Sequence, residues 1–358
     1  MEYVRVANLK EGDVLGKVLY NDKLQVMAKP GTKLTKNGIQ AIKQQGYKGV
    51  YIQSDDANRR ETIPLSEPLV EDTEMLTLLQ MVKTTFEDKN IFTEPYCASF
   101  KQNRAILEQV CANLVSEIKR KDAEGKFLYE LEDTRTNKNW LYYHSINTMI
   151  ISAGIAYKIG LNDQEIANIA FAGLIHDLGK MLLSEELRNK ADLTDDEKKK
   201  LREHPEKVYR LLQRLNYPVT VSYGVWLHHE KIDGSGYPNG VKLEKITLSA
   251  QIVALASAFD NLVNIQPYND KPMLQSEALE YLQGCGLYSI DCLIALFKFI
   301  VPYPVGTKVQ LSNGEQGLVL KNVSDFVMRP YVIVGSKLYD LANNMELMNI
   351  TITNVIED

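Results

Sequence analysis

Cysteine is scarce in this 358-residue chain: Cys97, Cys111, Cys285 and Cys292, with no CxxC pair among them. That excludes a disulfide-stapled scaffold and a tetracysteine metal site, and leaves reduced thiols as the simple reading. Positive charge is not in excess. Lys and Arg number 41 against 46 Asp and Glu, for a net charge of -5, so no broad nucleic-acid or anionic-membrane surface is expected, and no DNA partner. A local basic pocket stays compatible with that balance. No apolar run approaches a membrane span and no signal peptide opens the chain, so a cytoplasmic location is the expectation. Histidine is also rare: His144, His176, His204, His228 and His229, all in one region.

What is present is ordinary for globular protein. Charged residues make up 24% and apolar ones 45%, and the length suits two or three domains. Residues 1–55 read as a small α/β module. Strands are predicted at Tyr3 to Val6, Val14 to Leu19, Leu24 to Ala28 and Gly49 to Ile52, with a helix at Thr35 to Gln45. Ser54 to Glu71 is polar with two prolines, a linker pattern. Helices follow at Thr73 to Asp88 and Phe100 to Lys121, the second with Ile106, Val110, Leu114 and Ile118 as its apolar face. Residues 56–118 thus read as a linker and helical bridge.

The central region, 119–300, is helical by pattern. Trp140 to Lys158 stops near Gly160, and Asn162 to Glu165 has the form of a capping box for the helix that ends at His176 and Asp177. Thr194 to Glu197 caps another helix, and Pro205 suits the start of Glu206 to Leu215. A helix from Val219 is expected to run through His229; Leu248 to Val263, Met273 to Leu282 and Ile290 to Ile300 follow. Residues 301–358 read as a β-rich tail, with a hairpin around Ser312-Asn313-Gly314 and strand-like runs at Tyr331 to Val334 and Leu347 to Thr353. Partner binding and covering the core are both open for the tail. The fold class expected is mainly α, a helical core with a small N-terminal α/β module and a small C-terminal β appendage.

Chemistry concentrates in two stretches, Leu174-Ile175-His176-Asp177-Leu178-Gly179-Lys180 and His228-His229-Glu230-Lys231-Ile232-Asp233-Gly234-Ser235-Gly236-Tyr237-Pro238. Any one histidine is more often structural than a ligand. Five of them with an aspartate alongside make a metal site with imidazole and carboxylate donors. Adjacent helical side chains diverge by about a hundred degrees, so His228 and His229 meet one centre only from a helix end or from either side of a cluster. Lys180 has two readings, a phosphate contact or a lysine favoured by a helix end. The Gly234 to Pro238 loop is either a substrate or partner contact or a structural loop beside the metals.

In order and approximate spacing, His144-Ser145, His176 to Lys180, His204-Pro205 and the run ending Gly236-Tyr237-Pro238 resemble the HD-GYP proteins, a branch of the HD metal-dependent phosphohydrolases. The resemblance spans roughly half the chain, Lys119 to Val305, and implies an HD-type helical bundle. It also implies two divalent metals, iron or manganese, with Asp177 bridging them. His144 and His176 would serve the first metal, and His204, His228 and His229 the second. Asp177 and Lys180 would be the catalytic residues, and Lys180, Gly236, Tyr237 and Pro238 would touch substrate. The N-terminal module would be regulatory or dimer-forming, with a packing accessory as the alternative.

Departures from the family pattern stand at specific positions. Trp140 replaces the glutamate that serves a third metal, and Ser257 replaces an aspartate ligand of the first metal. Asp260, three residues on, is expected to point elsewhere. Gln266 and Asn269 replace an arginine and a lysine that hold cyclic di-GMP around Pro267-Tyr268. Three readings follow: a phosphodiesterase for cyclic di-GMP or a related cyclic dinucleotide; a catalytically degenerate module that signals by binding nucleotide or protein; a phosphohydrolase for another nucleotide.

Overall fold

Near the N-terminus, strand β1 (Glu2–Arg5) is followed by β2 (Leu19–Tyr20) and β3 (Val26–Ala28), then helix α1 (Lys36–Gln44) and β4 (Gly49–Ile52). β1 pairs antiparallel with β4, Val4 opposite Val50, and β2 pairs with β3. The Thr35 hydroxyl caps α1 by accepting the Gly38 N–H at 3.1 Å. Leu15, Leu19, Leu34, Ile42 and Val50 close a small core of their own. The strand expected at 14–19 shrinks to isolated bridges at Val14 and Leu15 plus β2. A bend at Gly16 and Lys17 separates the two pieces, as a glycine inside a strand pattern allows.

This computed structural model describes residues 2–21, 23–47, 49–53, 69–70, 72–88, 90–93, 98–129, 135–136, 138–264, 266–267 and 271–356. The linker expected at 54–71 therefore lies outside the described residues, apart from 69–70, as do Tyr268 and Asn269. Among the described residues no helix is long and apolar enough to cross a membrane.

Helices α2 (Asp72–Glu87) and α3 (Ala98–Ala123) lead into the core. The buried face of α3 is Leu107, Cys111, Leu114, Val115 and Ile118, not the expected row, for Ile106 is 40% exposed. A strict four-residue spacing drifts around a 3.6-residue helix, whereas alternating steps of three and four stay on one side. α4 (Trp140–Ile159) is the central helix, with every residue from Trp140 to Ala156 buried. Gly160, in the left-handed region, ends it. α5 (Asp163–Ile175) opens with the Asn162–Glu165 capping box and packs along α4.

Next come α6 (Glu185–Arg188), α7 (Asp195–Leu201), α8 (His204–Arg214) and α9 (Val219–Trp226). α7 carries the Thr194–Glu197 capping box. α8 begins two residues earlier than expected, with Pro205 in its first turn, where a missing N–H costs nothing. α9 stops at Trp226, so His228 and His229 lie in the turn beyond it rather than on the helix. α10 (Leu248–Val263) crosses α4 and α9, and α11 (Gln275–Gly284) and α12 (Ile290–Leu296) close the bundle. Apolar side chains from α2 to α12 form one continuous cluster.

Strands β5 (Lys308–Leu311), β6 (Gln316–Lys321), β7 (Tyr331–Val334), β8 (Lys337–Asp340) and β9 (Ile352–Val355) form an antiparallel sheet in the order β8-β7-β6-β5-β9. The hairpin around Asn313-Gly314 is present, with Lys308 opposite Leu318. The last run becomes a 3₁₀ turn at Met345–Leu347 before β9. The protein is thus mainly helical, with a small α/β module before the bundle and a β-sheet after it.

Candidate metal centre

Three helices and one turn deliver the histidines to one place. His144 stands on the second turn of α4, His176 caps the C-terminal end of α5, and His204 opens α8. The turn after α9 breaks the helical divergence of His228 and His229 and brings their rings to 4.0 Å. Two clusters result among the described residues, His144 with His176 and Asp177, and His204 with His228, His229 and Asp177. Within each, the donor atoms lie within 4.8 Å of one another. All six residues expected as ligands are therefore brought together.

Hydrogen bonding sets the tautomers. His176 Nδ1 meets the Gly173 carbonyl at 2.7 Å, and His204 and His228 meet the Leu201 and Val225 carbonyls at 2.6 Å. A carbonyl only accepts, so each Nδ1 carries the proton and each Nε2 presents a lone pair inward. The Nε2 atoms of His204, His228 and His229 and Oδ1 of Asp177 are buried without a hydrogen-bond partner. His204 Nε2 and Asp177 Oδ1 lie 3.0 Å apart, but not in hydrogen-bonding directions. Such orphaned acceptors converging on one point fit a cation.

Asp177 divides its two oxygens between the clusters. Oδ2 lies 3.5 Å from the Nε2 atoms of both His144 and His176, and Oδ1 faces His204 and His228 at 3.0 and 3.8 Å. The Lys180 ammonium, 7% exposed, sits 2.6 Å from Oδ2. In this geometry the lysine serves the carboxylate.

Asp260 does not point elsewhere. Its Oδ2 lies 2.6 Å from His144 Nδ1. Arg135 makes a two-pronged ion pair with the same carboxylate, and Asn147 and Asn264 donate to its Oδ1 at 2.7 and 2.8 Å. With its Nδ1 held there, His144 turns Nε2 to within 3.1 Å of His176 Nε2. Two imidazole lone pairs that close call for a positive centre between them. Carboxylate-held ligand histidines are a recurring device for orienting a metal donor. Sequence reasoning passed over this pair, although a charged residue directly after the run Leu255 to Phe259 was a visible signal. Arg135 offered none.

The electrostatics match ligand states. Burial drives the imidazoles of His204, His228 and His229 below their usual range, and that of His176 to about 3. They are neutral at pH 7. Burial opposes ionisation of Asp177, but His176, the Lys180 ammonium and His204 hold its carboxyl well below the usual range.

Two glycines let the motifs touch. A Cβ on Gly179 would lie 2.3 Å from the His204 carbonyl oxygen, and one on Gly236 would lie 2.4 Å from that of His229. Tyr237 stacks on the His229 ring, 4.5 Å between centroids and 21° between planes. Buried Glu230 accepts the N–H groups of Asn239 and Val241 at 2.7 and 3.1 Å and ties the loop down, while Pro238 is exposed.

Trp140 is buried, its indole N–H donates to Asn189 at 3.0 Å, and the Lys180 ammonium lies 5.7 Å from its ring centroid. It offers no donor for a third metal. Ser257 Oγ reaches within 3.3 Å of His144 Nε2. Gln266 is buried with its amide N–H₂ on Asn261.

Residues 129–291 match the HD domain family model. A cyclic di-GMP phosphodiesterase of Pseudomonas aeruginosa is 32% identical over 210 residues, covering 58% of this chain and 50% of its own length. One of Thermotoga maritima is 31% identical over 219 residues, 58% of each chain. The chain spans about half the length of the curated relatives it matches. Among solved structures, an HDGYP protein of Bdellovibrio bacteriovorus aligns with a TM-score of 0.45 at 18% identity, covering 82% of this chain and 97% of its own. The family match, the relatives and the His144 to Pro238 motifs agree: residues 129–291 are similar to HD domain proteins, and their motifs resemble those of the HD-GYP branch.

Proposed function

We propose that this chain is a metal-dependent phosphodiesterase that opens a cyclic dinucleotide, cyclic di-GMP or a close relative. The observation that carries the reading is Asp177, whose two oxygens face two separate sets of buried histidines. Family membership implies divalent metal binding, and iron or manganese suits this donor set. Bound there, divalent cations supply Lewis-acid polarisation of a phosphodiester and activation of water. His144 and His176 would hold one, His204, His228 and His229 the other, with Asp177 between them. The protein's own contribution is preorganisation. Backbone carbonyls and Asp260 keep the rings of His144, His176, His204 and His228 in the donor tautomer, Lys180 steadies Asp177, and the Gly236 to Pro238 loop seats His229.

A second reading, a binding module without turnover, draws support from Ser257. Its neutral hydroxyl at the first cluster replaces a charge that would favour a cation there. One experiment separates the two: metal analysis of protein purified without oxygen, paired with hydrolysis assays on a panel of cyclic dinucleotides. Bound metal with hydrolysis supports the enzyme. Nucleotide affinity without hydrolysis supports the binding module, and absence of metal after reconstitution with iron, manganese and zinc defeats the enzyme.

A further inference from the structure

His144, His176, Asp177, His204 and His228 are each at most 2% exposed, whereas His229 is only half-buried. His229 is thus the candidate ligand nearest solvent. The Tyr237 ring lies flat against that imidazole, and the Arg202 guanidinium lies over the Tyr237 ring, 5.2 Å from its centroid. A stack of imidazole, phenol and guanidinium thus leads from the centre to solvent. Arg202 is exposed, in the short link between α7 and α8.

Three neighbouring cations are engaged. Lys180 is buried on Asp177, Lys190 pairs with Glu197, and Lys207 pairs with Glu203. Among the described residues, Arg202 has no carboxylate partner. Its aromatic contact fixes the plane of the guanidinium and leaves the N–H edge for an anion, the geometry in which arginine binds phosphate. A cyclic dinucleotide carries two phosphodiesters. The centre addresses the one to be cut, and the other needs a separate positive group at the mouth.

We propose that Arg202, held on Tyr237, binds the second phosphate of the cyclic dinucleotide and so selects substrates with two phosphodiesters. The proposal rests on the phosphodiesterase reading. Its test compares Arg202→Ala and Arg202→Lys with the unaltered holoenzyme on cyclic di-GMP and on bis(p-nitrophenyl) phosphate, which has a single phosphodiester. Binding of cyclic di-GMP is measured in parallel by calorimetry. For Arg202→Ala, KM and Kd for cyclic di-GMP should rise by roughly tenfold or more, as loss of a charge-assisted bond requires. kcat should fall less, and the loss on bis(p-nitrophenyl) phosphate should be far smaller. Arg202→Lys should recover part of the affinity, since the charge remains without the planar fork. Equal losses on both substrates would show a merely structural role and overturn the proposal, as would unchanged affinity for cyclic di-GMP or no binding by the unaltered protein. If neither substrate is cut while Arg202 still governs binding, the phosphodiesterase reading fails and the subsite stands.

Discussion

Asp260 holds His144: the carboxylate Oδ2 lies 2.6 Å from the imidazole Nδ1, on helices that pack across one another. The same carboxylate carries the buried Arg135 ion pair, so one residue links the ligand to the protein's interior. Asp260→Asn keeps the shape and removes the charge. It should weaken metal binding at the His144 cluster by about 10–100-fold, the usual effect of losing a group that orients a metal ligand. It should also cost about 3–5 kcal/mol of stability by taking the carboxylate charge away from the buried Arg135 guanidinium. Manganese titration calorimetry and urea unfolding measure the two effects. Unchanged metal affinity in the variant would show that His144 needs no such support.

Ser257→Asp adds a carboxylate 3.3 Å from His144 Nε2, measured from the present hydroxyl. Occupancy of the His144 cluster should rise, most visibly at low manganese, since a charged ligand is gained against a divalent cation. Calorimetric titration of both proteins decides the matter, and equal occupancy would refute the claim that serine weakens this cluster.

Asp177→Ala removes the one carboxylate shared by both clusters and leaves the Lys180 ammonium buried without its partner. Neither cluster should retain metal after dialysis, as read by elemental analysis. Two metals bound by the variant would mean that the ligand assignment is wrong.

Acid should destabilise the metal-free protein. His176, His204, His228 and His229 are held neutral by burial, with folded pKa values below the ordinary 6.5, and that of His176 falls to about 3. Below about pH 6.5 the unfolded chain takes up protons that the folded one refuses, so stability falls with pH through that window. Between pH 7.5 and 5.5 His176 should contribute a loss of about 1.4 kcal/mol, and the other three act in the same direction. Urea midpoints of metal-free protein at the two pH values test this; equal midpoints would contradict neutral burial.

Gly236→Ala should disturb His229 while leaving the rest of the bundle folded. The new methyl group would meet the His229 carbonyl and the Glu230 Cα, at 2.4 and 2.5 Å, and both are backbone atoms with little room to yield. The expected result is weaker metal binding at the His204 cluster, with far-ultraviolet circular dichroism unchanged. Undiminished affinity would leave the loop without a supporting role.

Much of the chain was legible because its determinants are local. The two capping boxes join residues three apart, the Gly160 stop acts within one turn, and the histidines with Asp177 identify themselves by residue type and spacing. Helix α3 shows where local reading slips. Its apolar residues surround more than one face, and only packing against α4 and α5 selects Leu107 over Ile106.

By itself the sequence determined a mainly helical core, because short-range helix and turn rules suffice for that, and its resemblance to HD-GYP proteins pointed to the six candidate metal ligands. The tertiary structure alone decided how Asp177 shares its oxygens, that His228 and His229 leave the helix to reach one centre, and that Arg202 caps the Tyr237 ring. It also decided the roles of Asp260 and Arg135. Asp260 meets His144 across 116 residues and Arg135 across 125. No periodicity or motif encodes such a distance; it arises when α10 is pressed against α4 by the burial of their apolar faces, and a buried charge then must find its partners.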